Sequence, residues 1–215
     1  MRIAQNIKFL KFILPLLILS VMLLVSSCDS AISLKSGENG TLIDEKNGRI
    51  YIDCSISLRA KSLSGENIYA KGPKNDRVDL YVINGLDPAE WLTEDIREGI
   101  PSVFRELNAI PDEPSIEDFD SKIIMTQEEA VAIQIGIIDD KDIVSRYINE
   151  LLANENVMLP SHDSLDYSYT LRFESDKYSG LQYLVQYYVD HSGKSYLYDR
   201  GTRKCVLLSS DSKIN

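Results

Sequence analysis

Two stretches near the C-terminus alternate apolar and polar residues almost without a break. Leu165, Tyr167, Tyr169, Leu171 and Phe173 take turns with Asp166, Ser168, Thr170 and Arg172, and Leu181, Tyr183, Val185, Tyr187 and Val189 repeat the rhythm. Successive side chains of a strand point to opposite faces, so a period of two commits one apolar set to a core and its complement to water. The turn His191-Ser192-Gly193-Lys194 then leads into Ser195–Tyr198, and Arg200-Gly201-Thr202 leads into Lys204–Leu208. Short strands joined by glycine-bearing turns predict an antiparallel meander.

Strand signals also open the body. Thr41-Leu42-Ile43 and Arg49-Ile50-Tyr51-Ile52 flank Asn47-Gly48, two residues that tolerate the positive φ of a hairpin turn. Ile50, Ile52, Cys54, Ile56 and Leu58 alternate with polar residues or Tyr51, which predicts one strand with the isoleucine face buried, and a further strand is expected at Val78–Ile83. Between Asp87 and Asp120 lie eleven acids against Arg97 and Arg105, with Pro88, Pro101, Pro111, Pro114 and the single Trp91. The prolines predict short helical turns at Pro88–Asp95 and Pro101–Leu107. Thr126-Gln127-Glu128-Glu129 matches a capping box and predicts a helix from Gln127 to about Gly136. Asp139 or Asp140 caps a second helix with Ile143, Tyr147, Ile148 and Leu151 on one face. The expected class is α+β: an antiparallel β-sheet with a C-terminal meander, packed by central helices.

The N-terminus reads as an address. Met1–Lys11 carries Arg2, Lys8 and Lys11 and no acid, and Phe12–Val25 is apolar but for Pro15 and Ser20. That run is shorter than the roughly 20 residues of a membrane span, and fits a removable signal peptide. Val25-Ser26-Ser27-Cys28 resembles the lipobox of bacterial lipoproteins. The resemblance implies diacylglyceryl transfer to the Cys28 thiol and cleavage before it, and two acyl chains make a stable anchor where one does not. The expected organisation is a signal peptide over 1–27, a lipidated cysteine and flexible tether over 28–40, and one ectodomain over 41–215 with a sub-boundary near 120–126.

Cleavage removes three cations and no acid, taking the net charge from −10 to −13. That acidity argues against nucleic acid, whose phosphates need a basic patch, and anionic lipid headgroups repel such a body, so attachment is expected to rest on the lipid at Cys28. Catalytic groups are sparse. The two histidines, His162 and His191, sit among turn residues, and Ser161-His162-Asp163-Ser164 cannot arrange adjacent residues as a triad. No ligand spacing for zinc is present, and Asp112, Glu113, Glu117, Asp118 and Asp120 lack the spacing and glycine of a calcium loop. Gly193-Lys194-Ser195 lacks the upstream glycine of a phosphate loop. No cofactor or metal is expected. Cys54 and Cys205 lie in strand patterns, and two buried thiols are expected in preference to a disulfide.

What remains is surface. Eight of the twelve tyrosines fall between Tyr167 and Tyr198. Tyr188 and Tyr196 are candidates for partner contact on the sheet, and Trp91 is a third candidate, its other role being a packing anchor.

Gly40-Thr-Leu-Ile-Asp-Glu-Lys-Asn-Gly-Arg-Ile-Tyr51, with Gly65-Glu66, Tyr69-Ala70, Gly85-Leu-Asp-Pro88 and Trp91-Leu92, resembles lipoproteins of Firmicutes, mainly clostridia. The resemblance covers the first half of the mature chain. It implies a surface location and brings no activity or functional residue with it. The expected function is a non-enzymatic, membrane-anchored lipoprotein that binds a protein, peptide or envelope component through the meander and the acidic segment. A small-ligand or cation-binding accessory to a transporter is the alternative, and an envelope hydrolase a third reading.

Overall fold

A computed structural model describes residues 31–73, 78–97, 101–128, 132–210 and 214. The lipobox and Cys28 lie outside them.

The chain forms β1 (Ile32–Ser33), β2 (Lys35–Ser36), β3 (Leu42–Asp44), β4 (Arg49–Asp53), β5 (Leu58–Ala60), β6 (Ala70–Lys71), β7 (Asp79–Val82), β8 (Trp91–Thr93) and β9 (Val103–Glu106). It continues through β10 (Lys122–Glu128), β11 (Ala132–Ile138), the helix α1 (Lys141–Ala153), β12 (Leu165–Glu174), β13 (Leu181–Asp190), β14 (Ser195–Asp199) and β15 (Lys204–Leu207). Eight strands make a first sheet in the order β1-β6-β7-β8-β9-β4-β3-β2. Only Leu34 separates β1 from β2, so the two ends of this sheet meet and it nearly closes as a barrel. Leu34, Leu42, Tyr51, Ala70, Leu80, Leu92 and Phe104 fill its interior. Closure removes the open edges that a short-stranded sheet otherwise presents.

The second sheet is the meander, ordered β11-β10-β12-β13-β14-β15, with β5 paired to β13. Every pairing in it is antiparallel. Leu171, Phe173, Tyr183, Val185, Tyr187, Leu197 and Val206 line its apolar face. Trp91, Val103 and Ile83 from the first sheet meet them in one core, with Val144, Tyr147, Ile148 and Leu151 of α1. The α1 prediction is realised closely: Asp140 is the N-cap, its carboxylate accepting from the Asp142 and Ile143 amides, and the predicted face is buried apart from the half-covered Ile143.

Several expectations are corrected. The protein is mostly β with a single helix among the described residues, not an α+β sheet packed by several helices. The segment read as a helix at 127–136 is the β10–β11 hairpin. Thr126, expected to cap, instead donates its hydroxyl to the Thr170 carbonyl across the strands at 3.2 Å. Ile123, Met125 and Ile138 reach the core at period two, and that burial overrides the local cap signal. Glu129, Ala130 and Val131 of the expected helix lie outside the described residues.

The proline-led helical turns at 88–95 and 101–107 are replaced by β8 and β9, both buried on two faces. A turn survives at Asp87, whose side chain accepts from the Ala89 amide at 2.8 Å. The long strand expected over Ile50–Leu58 ends at Asp53. A turn then passes the chain to β5 in the other sheet, leaving Ile56 65% exposed while Tyr51, assigned to the wet face, is buried in the barrel. The tether also begins to fold earlier than expected. Ile32–Ser36 pairs with β6 on one side and β3 on the other, because Leu34 is needed inside the barrel.

Candidate functional site

Register lays out the second face of the meander in rows. Residues directly opposite on neighbouring strands share a face. Lys122, Glu174, Gln182 and Arg59 form one row, and Ile137, Ile124, Arg172 and Leu184 the next. Gln134, Thr126, Thr170, Gln186, Tyr198 and Cys205 form a third. The last row runs Ser168, Tyr188, Tyr196, Leu207. Where the first face is a hydrocarbon core, this one is a polar ladder ending in tyrosines.

The ladder is ordered by its own bonds. Glu174 is buried, and Lys61 and Lys122 bring their ammonium groups to its Oε2 at 2.8 and 3.2 Å, while Gln182 donates to Oε1 at 3.0 Å. Burial pushes the Glu174 carboxyl up, but Lys61, Gln182 and Lys122 outweigh it and hold it below the usual carboxylate range. Gln186 donates to Thr170 Oγ1 at 3.0 Å, and Arg172 Nε donates to Thr126 Oγ1 at 3.2 Å. Lys61, Thr126, Gln134, Arg172, Glu174 and Gln182 line a groove of about 310 Å³. Three cations, Lys61, Lys122 and Arg172, share this patch with one carboxylate, an excess of positive charge on a chain whose net charge is −10.

Tyr188 and Tyr196, expected at a partner surface, face each other across β13 and β14 on this face, and both are half-buried. Tyr196 Oη donates to Asp190 at 2.9 Å, and Asp190 is held down to about 2 by the Ser192 hydroxyl and the Lys194 amide. The same contacts settle Gly193-Lys194-Ser195: Gly193 takes φ +73° in the β13–β14 turn, and the Lys194 amide serves Asp190. Trp91 is elsewhere. It is 1% exposed in the shared core, its ring edge-on to Tyr178 with centroids 5.8 Å apart, and so acts as the packing anchor.

The other candidates are placed plainly. His191 is bonded at both ring nitrogens, through Nδ1 to Asp166 and through Nε2 to the Asp163 carbonyl, which leaves neither nitrogen to take a proton from a substrate. His162 is exposed in a short turn. Cys54 packs in the shared core and Cys205 lies on the ladder face opposite Tyr198, so the sheet separates two free, buried thiols. Burial pushes their thiols up, Cys54 to about 12 and Cys205 to about 11. The acids at 112–120 ride on a strap pinned by buried Ile116 and Phe119, with Asp118 paired to Lys177 at 3.0 Å. Among the described residues no group of three or more His, Cys, Asp or Glu is placed to hold a metal, and no helix is long and apolar enough to cross a membrane.

Sequence reasoning found the tyrosines of this face and missed Lys61, Lys122, Arg172 and Glu174. The alternation of Thr170, Arg172 and Glu174 in β12 carried half the signal. Lys61 follows β5, in a stretch that reads as loop in the sequence and that only the β5–β13 pairing brings to the meander. Compared with models of protein families, with curated proteins and with solved structures, the chain matches none.

Proposed function

We propose that this protein is a non-catalytic binding lipoprotein, held on the extracytoplasmic face of a membrane by lipid on Cys28 and docking a partner on the ladder face of its meander. The observation that carries the reading is the groove around Glu174. A sheet face needs no buried, mutually bonded polar side chains to fold; a hydrocarbon or a plainly solvated face serves as well. Ordered donors at Lys61, Lys122, Arg172 and Gln182, beside a row of half-buried tyrosines, suit a partner rich in acceptors. The partner is a protein, peptide or envelope component presenting carboxylate or phosphate groups to the cations and an extended surface to Tyr188 and Tyr196. The net charge of −10 disfavours such a partner away from this cationic face.

The test is affinity capture from envelope extract with the wild-type protein and with a Lys122→Ala, Arg172→Ala, Tyr196→Ala variant. A component retained by the wild type, eluted by salt and lost from the variant supports the proposal. Equal capture by both, or turnover of a generic hydrolase substrate with no capture, overturns it.

A further inference from the structure

A second cavity lies on the opposite side of the meander from the ladder. It opens between the acidic strap at 113–116, the end of α1 and the β14–β15 turn, and its volume is about 300 Å³. Its two ends differ in chemistry. Pro114, Ile116, Leu151 and Leu152 supply an apolar wall, and Ser57, Tyr183, Thr202 and Lys204 line the cavity beside the carboxylates of Asp199 and Glu113.

The two carboxylates are not equivalent. Asp199 is buried and fully engaged: Oδ2 accepts from Tyr183 Oη at 2.9 Å and Thr202 Oγ1 at 2.7 Å, and Oδ1 accepts from the Gly201 amide at 2.9 Å. Its carboxyl group organises the turn. Glu113 stands at the exposed rim with the Ser57 hydroxyl as its hydrogen-bond partner, and no cation is within ion-pair distance among the described residues. Two cations lie nearby, Lys204 in the cavity lining and Arg105, whose charge acts on Glu113. Lys204 Nζ donates to the Leu152 carbonyl at 2.6 Å, and Arg105 Nη1 donates to the carbonyls of Ile110 and Pro111. Partial burial raises the Glu113 carboxyl, the Arg105 charge opposes that, and Asp199 and Asp53 add to it.

We propose that this cavity binds a small organic cation, an ammonium group on an apolar body, with the ammonium between Glu113 and Asp199 and the body against Leu151, Leu152 and Ile116. The volume sits at the small end of ligand sites, which suits a molecule of about ten non-hydrogen atoms. An anion meets two carboxylates against the single Lys204 ammonium, which is bonded to the Leu152 carbonyl. A bare metal ion leaves the apolar wall unused. The site is independent of the ladder face, so either can fail without the other.

Benzylamine is the probe, titrated calorimetrically into the detergent-solubilised full chain at pH 7.5, with benzoate and benzyl alcohol as matched controls. The proposal expects a one-site isotherm for benzylamine alone, weakened at least tenfold by Glu113→Gln and unchanged by Asp112→Asn, an adjacent exposed acid outside the cavity wall. Glu113 stands at an exposed rim, and glutamine keeps an acceptor for the buried Ser57 hydroxyl, so the variant is expected to fold; an unchanged melting temperature verifies this. No benzylamine isotherm, equal binding of the alcohol, or undiminished binding by Glu113→Gln overturns the proposal.

Discussion

His191 shows how a single residue changes meaning between sequence and fold. Two acceptors, the Asp166 carboxylate and the Asp163 carbonyl, face its two ring nitrogens, so both nitrogens must donate and the imidazolium is the form that fits. The Asp166 hydrogen bond, then the Asp163 carbonyl, raise its pKa, with the Asp166 and Asp190 charges acting in the same direction. A raised folded-state value stabilises the fold fully below the ordinary histidine pKa of about 6.5, and that contribution is lost as pH rises through the folded value. His191→Gln therefore lowers the urea midpoint most at pH 5.5, and the gap from wild type closes by pH 9; a gap that is constant with pH, or widens, rejects the clamp. The sequence located His191 in a turn correctly. It could not supply Asp166 and Asp163 as partners, since the start of β12 with the loop before it and the turn after β13 meet only once those strands pair.

At the scale of elements, what was legible depended on whether a strand served one core or two. β12 and β13 each bury one face on hydrocarbon, so their alternation was readable directly, as was the stripe of α1 with its Asp140 cap. β8 and β9 are buried on both faces and carry no alternation, and the proline signals before them pointed to helix. The capping-box letters at Thr126 were real, but Thr126 is buried and bonded across the sheet, a contact no local window contains. The ladder makes its own prediction at this scale. Glu174→Gln leaves Lys61 and Lys122 without their shared carboxylate and costs about 1–3 kcal/mol of stability near neutral pH. Because the Glu174 pKa is depressed in the folded state, its contribution is complete above the unfolded value of about 4.3 and is lost as pH falls through the folded one. Denaturation of the variant at pH 7 and pH 3 checks both the size and the sign; an effect larger at pH 3 contradicts the assignment.

The whole molecule is a near-closed barrel and a meander sharing one core, with Trp91 reaching from the first sheet to Tyr178 beside the second. Trp91→Ala is expected to cost about 3–5 kcal/mol, measured by urea denaturation. A loss below 1 kcal/mol shows that the two sheets do not depend on it. The barrel was the least legible feature, because closure rests on Leu34 and two-residue strands in a stretch whose small polar composition reads as linker. The meander was the most legible, and its Tyr188 and Tyr196 were the only part of the proposed docking face that composition singled out.

The proposed function assumes that the molecule works from a membrane surface, held there by one residue. The described body carries no membrane-spanning helix, and its charge opposes adhesion to anionic lipid. Cys28→Ser, expressed in a bacterial host and fractionated by ultracentrifugation, is the direct measurement. The account predicts that the wild type sediments with membranes and incorporates labelled palmitate, while the variant incorporates none and moves to the soluble fraction. Membrane association of the variant equal to that of the wild type contradicts it.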